Sequence, residues 1–274
     1  LLTRKNTKVA QGLTAQNIDM IPLFKTHYSI GKSILTFNPE SKEGGADSVL
    51  QIAKENNLDK IFLTEDNMHG FLQCKRLCDE NNIHLVFGLR LKVSESKVAK
   101  EKHKVVIFGK NDDGIRALYK IYSYAFCEND GFIFLEDLQR MWNNENLSLC
   151  IPFYDSFIYY NNFTFDQFDP PIGNFGDVTF FVEDNNLPID KFLSEKVKNY
   201  TDRHNTIKTH KSHSFKSQRV KTVYYKSKSD FKAFQAFKII NNRKMGRIYS
   251  LERPDLSGCS SDEFCFESFL KHEK

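Results

Sequence analysis

The chain is predicted to be an α/β protein with a parallel sheet, and three observations predict it. Short apolar runs recur along the sequence, amphipathic helical runs separate them, and the alternation holds across most of the 274 residues. Residues 21–26 (IPLFKT) are the first strand candidate. Ala46, Val49, Leu50 and Ala53 follow at i, i+3, i+4 and i+7, the spacing of one helix face. Residues 60–64 (KIFLT) give a second strand. The helix after it places Phe71, Cys74 and Cys78 on one side. Residues 84–93 and 104–108 (KVVIF) supply the third and fourth strands. Asp112 and Asp113 then cap a helix carrying Ile115, Leu118 and Tyr122. Further strands are expected at 147–153, 157–160, 178–183 and 219–225, with helices over 187–200 and 230–241.

Two stretches break this rhythm. Residues 161–176 are rich in Phe, Pro, Asn and Gly and are expected to form a long loop. Residues 203–228 carry eight Lys and Arg residues and no acidic residue after Asp202. A solvated surface loop accounts for that run. The functional alternative is contact with a DNA backbone through Lys208, Lys211, Lys216 and Arg219. His210 and His213 lie in the same stretch but have no carboxylate or cysteine beside them to complete a metal site.

Composition narrows the function classes. With 40% hydrophobic and 27% charged residues the chain is of globular type. A net charge of +4 is too small to demand a nucleic-acid partner. The 25 phenylalanines fit the codon bias of an AT-rich genome. The first 16 residues lack the apolar core of a signal peptide, and no run of about 18 apolar residues is present to span a membrane. Six cysteines include no CxxC pair and are expected as buried, reduced thiols in a cytoplasmic protein.

The segment 58–93, LDKIFLTEDNMHGFLQCKRLCDENNIHLVFGLRLKV, locates the site. Glu65 and Asp66 end one strand and Arg90 lies in the next. In βα architectures chemistry gathers at the carboxyl ends of parallel strands. An acidic pair there suits a cation, whereas an arginine opposes one.

From these segments the chain resembles the amino-terminal PHP (polymerase and histidinol phosphatase) domain of bacterial C-family replicative DNA polymerases, the polymerase III alpha subunit. The stretches FKTHYSIGKSIL (24–35), LTEDNMHGFLQCKRLC (63–78), VFGLRLKV (86–93) and VVIFGKNDDGIRALYKIYSYAF (105–126) carry the resemblance. Residues 219–242 and 245–269 extend it, the latter through the spacing of Arg253–Pro254 to Glu263–Phe264. The resemblance implies a distorted (β/α)7 barrel, similar to a TIM barrel with one unit missing. It divides the chain into an amino-terminal extension (1–20), the barrel (21–242) and a carboxyl-terminal segment (243–274) leading toward a polymerase core.

Active members of that family resemble trinuclear metal phosphoesterases, in which clustered ions generate a hydroxide nucleophile and clamp phosphate oxygens. Carried over residue by residue, that metal centre is largely replaced. The first His-x-His becomes Lys25-x-His27. Asp-His becomes Glu65-Asp66. The bridging glutamate position holds Arg90, whose guanidinium has no lone pair for a metal. Two later histidine positions fall near Asn185 and Asn186, and the final Asp-x-His falls around Tyr224. Arg90 is expected to pair with Glu65 or Asp66 and so replace the metal. The rival is a reduced site for one Zn or Mn ion from His27, Glu65, Asp66 and His69.

The resemblance therefore implies a catalytically degenerate, cofactor-free PHP module with a structural role in DNA replication. No stretch supplies a polymerase palm's clustered aspartates. Its partners would be a polymerase core, in cis or in trans, and primer-template or single-stranded DNA, in the cytoplasm of a bacterium or phage-infected host. Two alternatives are a metal-dependent 3′–5′ proofreading exonuclease or phosphoesterase, and a free-standing protein that binds a replication factor.

Overall fold

Seven strands close on themselves into a barrel, and the chemistry of the site follows from which side of each strand faces inward. The computed structural model describes residues 20–38, 45–95, 103–163, 168–206, 213–244 and 258–272. The expected amino-terminal extension falls almost wholly outside the described residues, as do Lys208, His210, Lys211, Arg253 and Pro254.

In chain order the elements are β1 (Ile21–Phe24), α1 (Val49–Glu55), β2 (Lys60–Glu65), α2 (Phe71–Glu80), β3 (His84–Ser94), β4 (His103–Gly109), α3 (Asp112–Glu128), β5 (Phe132–Phe134) and α4 (Leu135–Arg140). They continue with β6 (Leu147–Ile151), α5 (Phe157–Tyr160), β7 (Val178–Val182), α6 (Asp190–Thr206), β8 (Phe215–Val223), α7 (Phe231–Lys244) and a last helix, α8 (Phe266–His272). The barrel runs β1-β2-β3-β4-β6-β7-β8 and back to β1, with β5 added on the edge of β3. This is the expected (β/α)7-type closure.

One strand departs from the parallel sheet expected. β4 is antiparallel to both its neighbours, pairing Gly88 with Phe108 and Arg90 with Val106 on β3, and Val106 with Cys150 on β6. The cause is local: β3 passes to β4 with no described helix between them, whereas parallel neighbours need a crossover. Residues 157–160 also differ from expectation, forming α5 rather than a strand. Ser156 caps that turn by accepting from the Tyr159 amide, and Phe157 and Ile158 are buried against the barrel's outer layer.

Period-2 alternation divides the apolar residues into two layers. Ile21, Leu23, Phe62, Val106, Phe108, Cys150, Phe181 and Val220 fill the barrel interior as one cluster. The alternate residues, among them Phe24, Leu63, Leu89, Ile107, Leu149 and Phe180, pack outward against the helices. Gly88 is required where Phe108 crosses the interior, because a Cβ there would come within 2.6 Å of the Phe108 ring.

The helices are set by their ends. Ser48 caps α1 by accepting from the Gln51 amide. Asn111, not the expected Asp112 or Asp113, caps α3 by accepting from the Gly114 amide at 2.8 Å, and the two aspartates occupy the first turn. α1 and α2 both stop at an Asn-Asn pair whose second member, Asn57 or Asn82, takes a left-handed conformation (φ 53° and 54°) and turns the chain into the next strand. The buried side of α2 holds Phe71, Cys74, Leu77 and Cys78. Cys74, Cys78, Cys150 and Cys265 are buried thiols, whereas Cys127 is exposed, contrary to expectation.

Residues 258–272 lie across the barrel's carboxyl-terminal end. Tyr225 forms a parallel bridge with Cys265, the Tyr224 amide donates to Phe264 O (3.0 Å), and the Phe266 amide donates to Tyr225 O (3.1 Å). Phe266 stacks on Phe24, and Phe264 packs on Tyr224.

Candidate functional site

The alternation that fills the barrel with apolar side chains also delivers charge to its mouth. One step beyond Leu23 on β1 is Lys25. Beyond Gly88 on β3 is Arg90, beyond Phe181 on β7 is Glu183, and beyond Thr222 on β8 is Tyr224. On antiparallel β4 the order reverses, so Phe108 and Val106 lead back to Lys104 at the same end. These strand ends surround a cavity of about 180 Å3 lined by Lys25, Arg90, Asp155, Glu183, Thr222 and Tyr224, with Gly258, Ser260 and Phe264 from the carboxyl-terminal segment.

The charges are paired. Lys25 Nζ lies 2.6 Å from Asp66 Oδ1. Arg90 Nη2 lies 2.5 Å from Asp155 Oδ2, and Lys104 Nζ lies 2.8 Å from that same oxygen. The Lys104 amide donates to the Asp155 carbonyl at 3.0 Å, which latches the loop after β6 to β4. Asp155 holds this position with a left-handed backbone (φ 62°), uncommon for a residue with a side chain. Glu65 faces away from the cavity and accepts from the Thr26 amide (2.8 Å), the Thr26 hydroxyl (2.6 Å) and the Ser29 hydroxyl. Glu183 accepts from the Thr222 amide and hydroxyl and from the Asn185 amide group.

Burial and pairing pull these groups in different directions. Burial lowers Lys25 to about 8, and Asp66 only partly offsets that. Burial pushes Glu65 up to about 7 against the pull of Lys25 and its hydroxyl donors. For Asp66, burial is outweighed by Lys25 and Arg90 together, which hold its carboxyl well below the usual range. The asymmetry within the Lys25–Asp66 pair has a plain cause: Lys25 is fully enclosed, while Asp66 is partly exposed and answers to two cations. Arg90 is likewise held charged, its burial overcome by Asp155 and Asp66. Asp155 is lowered, with Arg90 and Lys104 outweighing burial.

The expected site residues divide accordingly. Lys25, Asp66, Arg90 and Tyr224 gather at the mouth. Arg90 does not pair with Glu65 or Asp66 as expected; its carboxylate is Asp155. β3 lies beside β4 and close to the loop after β6, whereas β1 lies beside β2, so Lys25 reaches Asp66 first. Tyr224 is buried and stacks on Phe234. His27 and His69 are exposed, with His27 against Tyr28 and His69 against Tyr122. Asp155, Lys104 and Glu183 were not singled out in the sequence. Glu183 carried a usable signal, since it ends a strand two residues after an inward phenylalanine. Lys104 becomes legible only once β4 is known to run backwards, and Asp155 sits in a loop with no pattern at all.

The metal cluster that the resemblance implies does not fit these residues. Among the described residues no three His, Cys, Asp or Glu side chains are grouped to hold an ion. The grouping proposed from His27, Glu65, Asp66 and His69 does not assemble. Two carboxylates that face the mouth, Asp66 and Asp155, are already bound to protein cations. An ion added beside Lys25 and Arg90 would meet repulsion in a poorly solvated site.

The basic run 203–228 is not a single loop. It comprises the end of α6, residues 207–212 outside the described set, and β8. Lys221 is fully buried, donating to Asp184 O at 2.7 Å and lying 3.7 Å from Glu263. Lys226 lies near Glu55 and Asp47, and Lys228 pairs with Asp262 and Glu263. Lys216 and Arg219 are exposed on β8. No helix among the described residues is long and apolar enough to cross a membrane.

Comparison with known proteins agrees with this architecture. A family model for the PHP domain matches residues 42–162. DNA polymerase III subunit alpha of Staphylococcus aureus strain COL is 28% identical over 99 residues, and that of strain Mu50 is 27% identical over the same length. Each match covers 36% of this chain and 9% of the relative, so the chain corresponds to a small fraction of those polymerases. Within the closed seven-stranded barrel, residues 42–162 are thus similar to a PHP domain, and 99 residues of the chain are similar to DNA polymerase III subunit alpha.

Proposed function

We propose that this chain is a catalytically silent PHP module of a replicase related to DNA polymerase III, and that it braces a polymerase core in cis or in trans. The observation that carries this reading is the placement of Lys25 and Arg90, fixed to Asp66 and Asp155, where the family resemblance expects metal ligands. Hydrolysis by clustered ions needs lone pairs converging on one point. Here ammonium and guanidinium groups stand at that point. The barrel mouth then acts as a rigid platform rather than a reaction centre. Such a module works where a bacterial or phage genome is copied, in the cytoplasm.

Metal analysis of the purified protein, paired with a 3′–5′ exonuclease assay with and without Mn2+, tests the silent site. We expect no stoichiometric Zn or Mn and no metal-dependent release of nucleotides. A bound metal at one equivalent with nuclease activity would refute it. Co-purification with a polymerase chain tests the bracing role, and its absence favours a free-standing interaction protein instead.

A further inference from the structure

We propose that the mouth cavity is a binding site for an uncharged, single-ring heterocycle of pyrimidine-base size, held between the barrel and the carboxyl-terminal segment. Three observations carry this, and none depends on the replicase reading.

The first is volume. A cavity of about 150 Å3 accommodates a benzene ring. The mouth offers about 180 Å3, room for one six-membered ring with its exocyclic atoms.

The second is charge. Lys25, Arg90 and Lys104 are bound to Asp66 and Asp155, and Glu183 is bound by Thr222 and Asn185. A phosphate or a metal ion would have to take a counter-charge from one of these buried pairs, leaving its partner uncompensated. An uncharged ligand disturbs none of them.

The third is the chemistry of the walls. Leu23, Phe181 and Phe264 present apolar surface, while Tyr159, Tyr224 and Ser260 add aromatic edges and hydroxyls. That mixture suits a flat ring carrying both donors and acceptors. One wall belongs to residues 258–264, so a ligand would bridge the barrel and the segment that crosses it.

Ligand-observed NMR on the whole chain tests the site, with uracil, cytosine and inorganic phosphate as probes. A ligand of about ten non-hydrogen atoms is expected to bind with Kd on the order of 1 mM. We expect saturation transfer to the ring protons of both bases and no protein-dependent broadening of the phosphate 31P line. Ser260→Trp, which fills the cavity from the segment side, should abolish the transfer. Leu187→Trp fills it from the loop after β7 and serves where the first variant does not fold. Uracil displaced by a short thymidine oligonucleotide would mark a strand-borne base as the ligand, and uracil not displaced would mark a free base. No transfer at about 10 mM base, transfer that survives both fillings, or binding of phosphate alone would overturn the proposal. Metal and nuclease assays are unaffected by these outcomes, so failure here is separable from failure of the silent-site reading.

Discussion

Arg90 and Asp155 illustrate how a buried ion pair behaves at the level of single residues. Each charge is tolerable because the other is 2.5 Å away. Removing one leaves the other uncompensated, so Arg90→Met should cost about 3 kcal/mol, read by urea unfolding. Asp155→Asn should cost at least as much, because Lys104 loses the same partner. The double variant Arg90→Met, Asp155→Asn should recover part of the sum, and simple additivity would show that the pair is not coupled. Glu65 supplies a pH signature. Its carboxyl is raised to about 7 by burial, from 4.5. The folded state therefore holds a proton that the unfolded state has released between these values. The stability this contributes is present below about pH 4.5 and lost as pH rises through 7, on the order of 2 kcal/mol. Glu65→Gln should flatten the unfolding free energy across that window, while an unchanged slope would mean that another group is responsible. Asp66 and Asp155 have the opposite sign: their lowered values contribute stability above about pH 4 that is lost in acid.

At the scale of elements, β4 is the strand that organises the site. Its reversed direction brings Lys104 to the mouth and sets Phe108 opposite Gly88. Gly88→Ala would force the Phe108 ring aside in a filled interior, and thermal unfolding should report a loss of about 1–3 kcal/mol. The carboxyl-terminal segment is tied down by Phe266, which is buried and stacked on Phe24. Phe266→Ala should cost about 3–4 kcal/mol and raise amide exchange through residues 258–272 before the barrel strands. The basic residues of β8 and the turn after it divide by role, since Lys221 and Lys228 hold that segment while Lys216 and Arg219 face solvent. If the exposed pair touches DNA, replacing both by alanine should weaken single-stranded DNA binding and reduce its salt dependence by about one unit per lost contact. An unchanged salt slope would remove them from any interface.

For the whole molecule, closure of the barrel and neutralisation of its mouth are one design. Lys25, Arg90, Lys104 and Glu183, from four different strand ends, are each compensated by a neighbouring strand or loop, so these ion pairs and hydrogen bonds tie together elements distant in sequence. The proposed silent site carries the expectation that this fold is held without an ion. We expect the melting temperature to stay within about 1 °C on adding EDTA or millimolar Mn2+, whereas a bound metal would shift it by several degrees.

The seven barrel strands and the three long helices were legible in the sequence, because apolar periodicity is a local property; the short strand β5 was not, and 157–160, expected as a strand, forms α5. Also legible was the donor chemistry of Lys25 and Arg90, cations that offer a metal no lone pair, since that chemistry does not depend on context. The partners of those cations were not legible. Asp155 lies 65 residues from Arg90 and in a loop without periodicity, and Lys104 turns to the mouth only because β4 runs antiparallel. The basic run misled for the same reason: a lysine's charge is local, but whether it meets solvent or Glu263 depends on where residues 258–272 pack. Chemistry of the individual groups was determined by the sequence itself. Which groups cancel one another was decided by closure of the barrel, because an ion pair is a matter of distance and only the tertiary structure sets distances between strands.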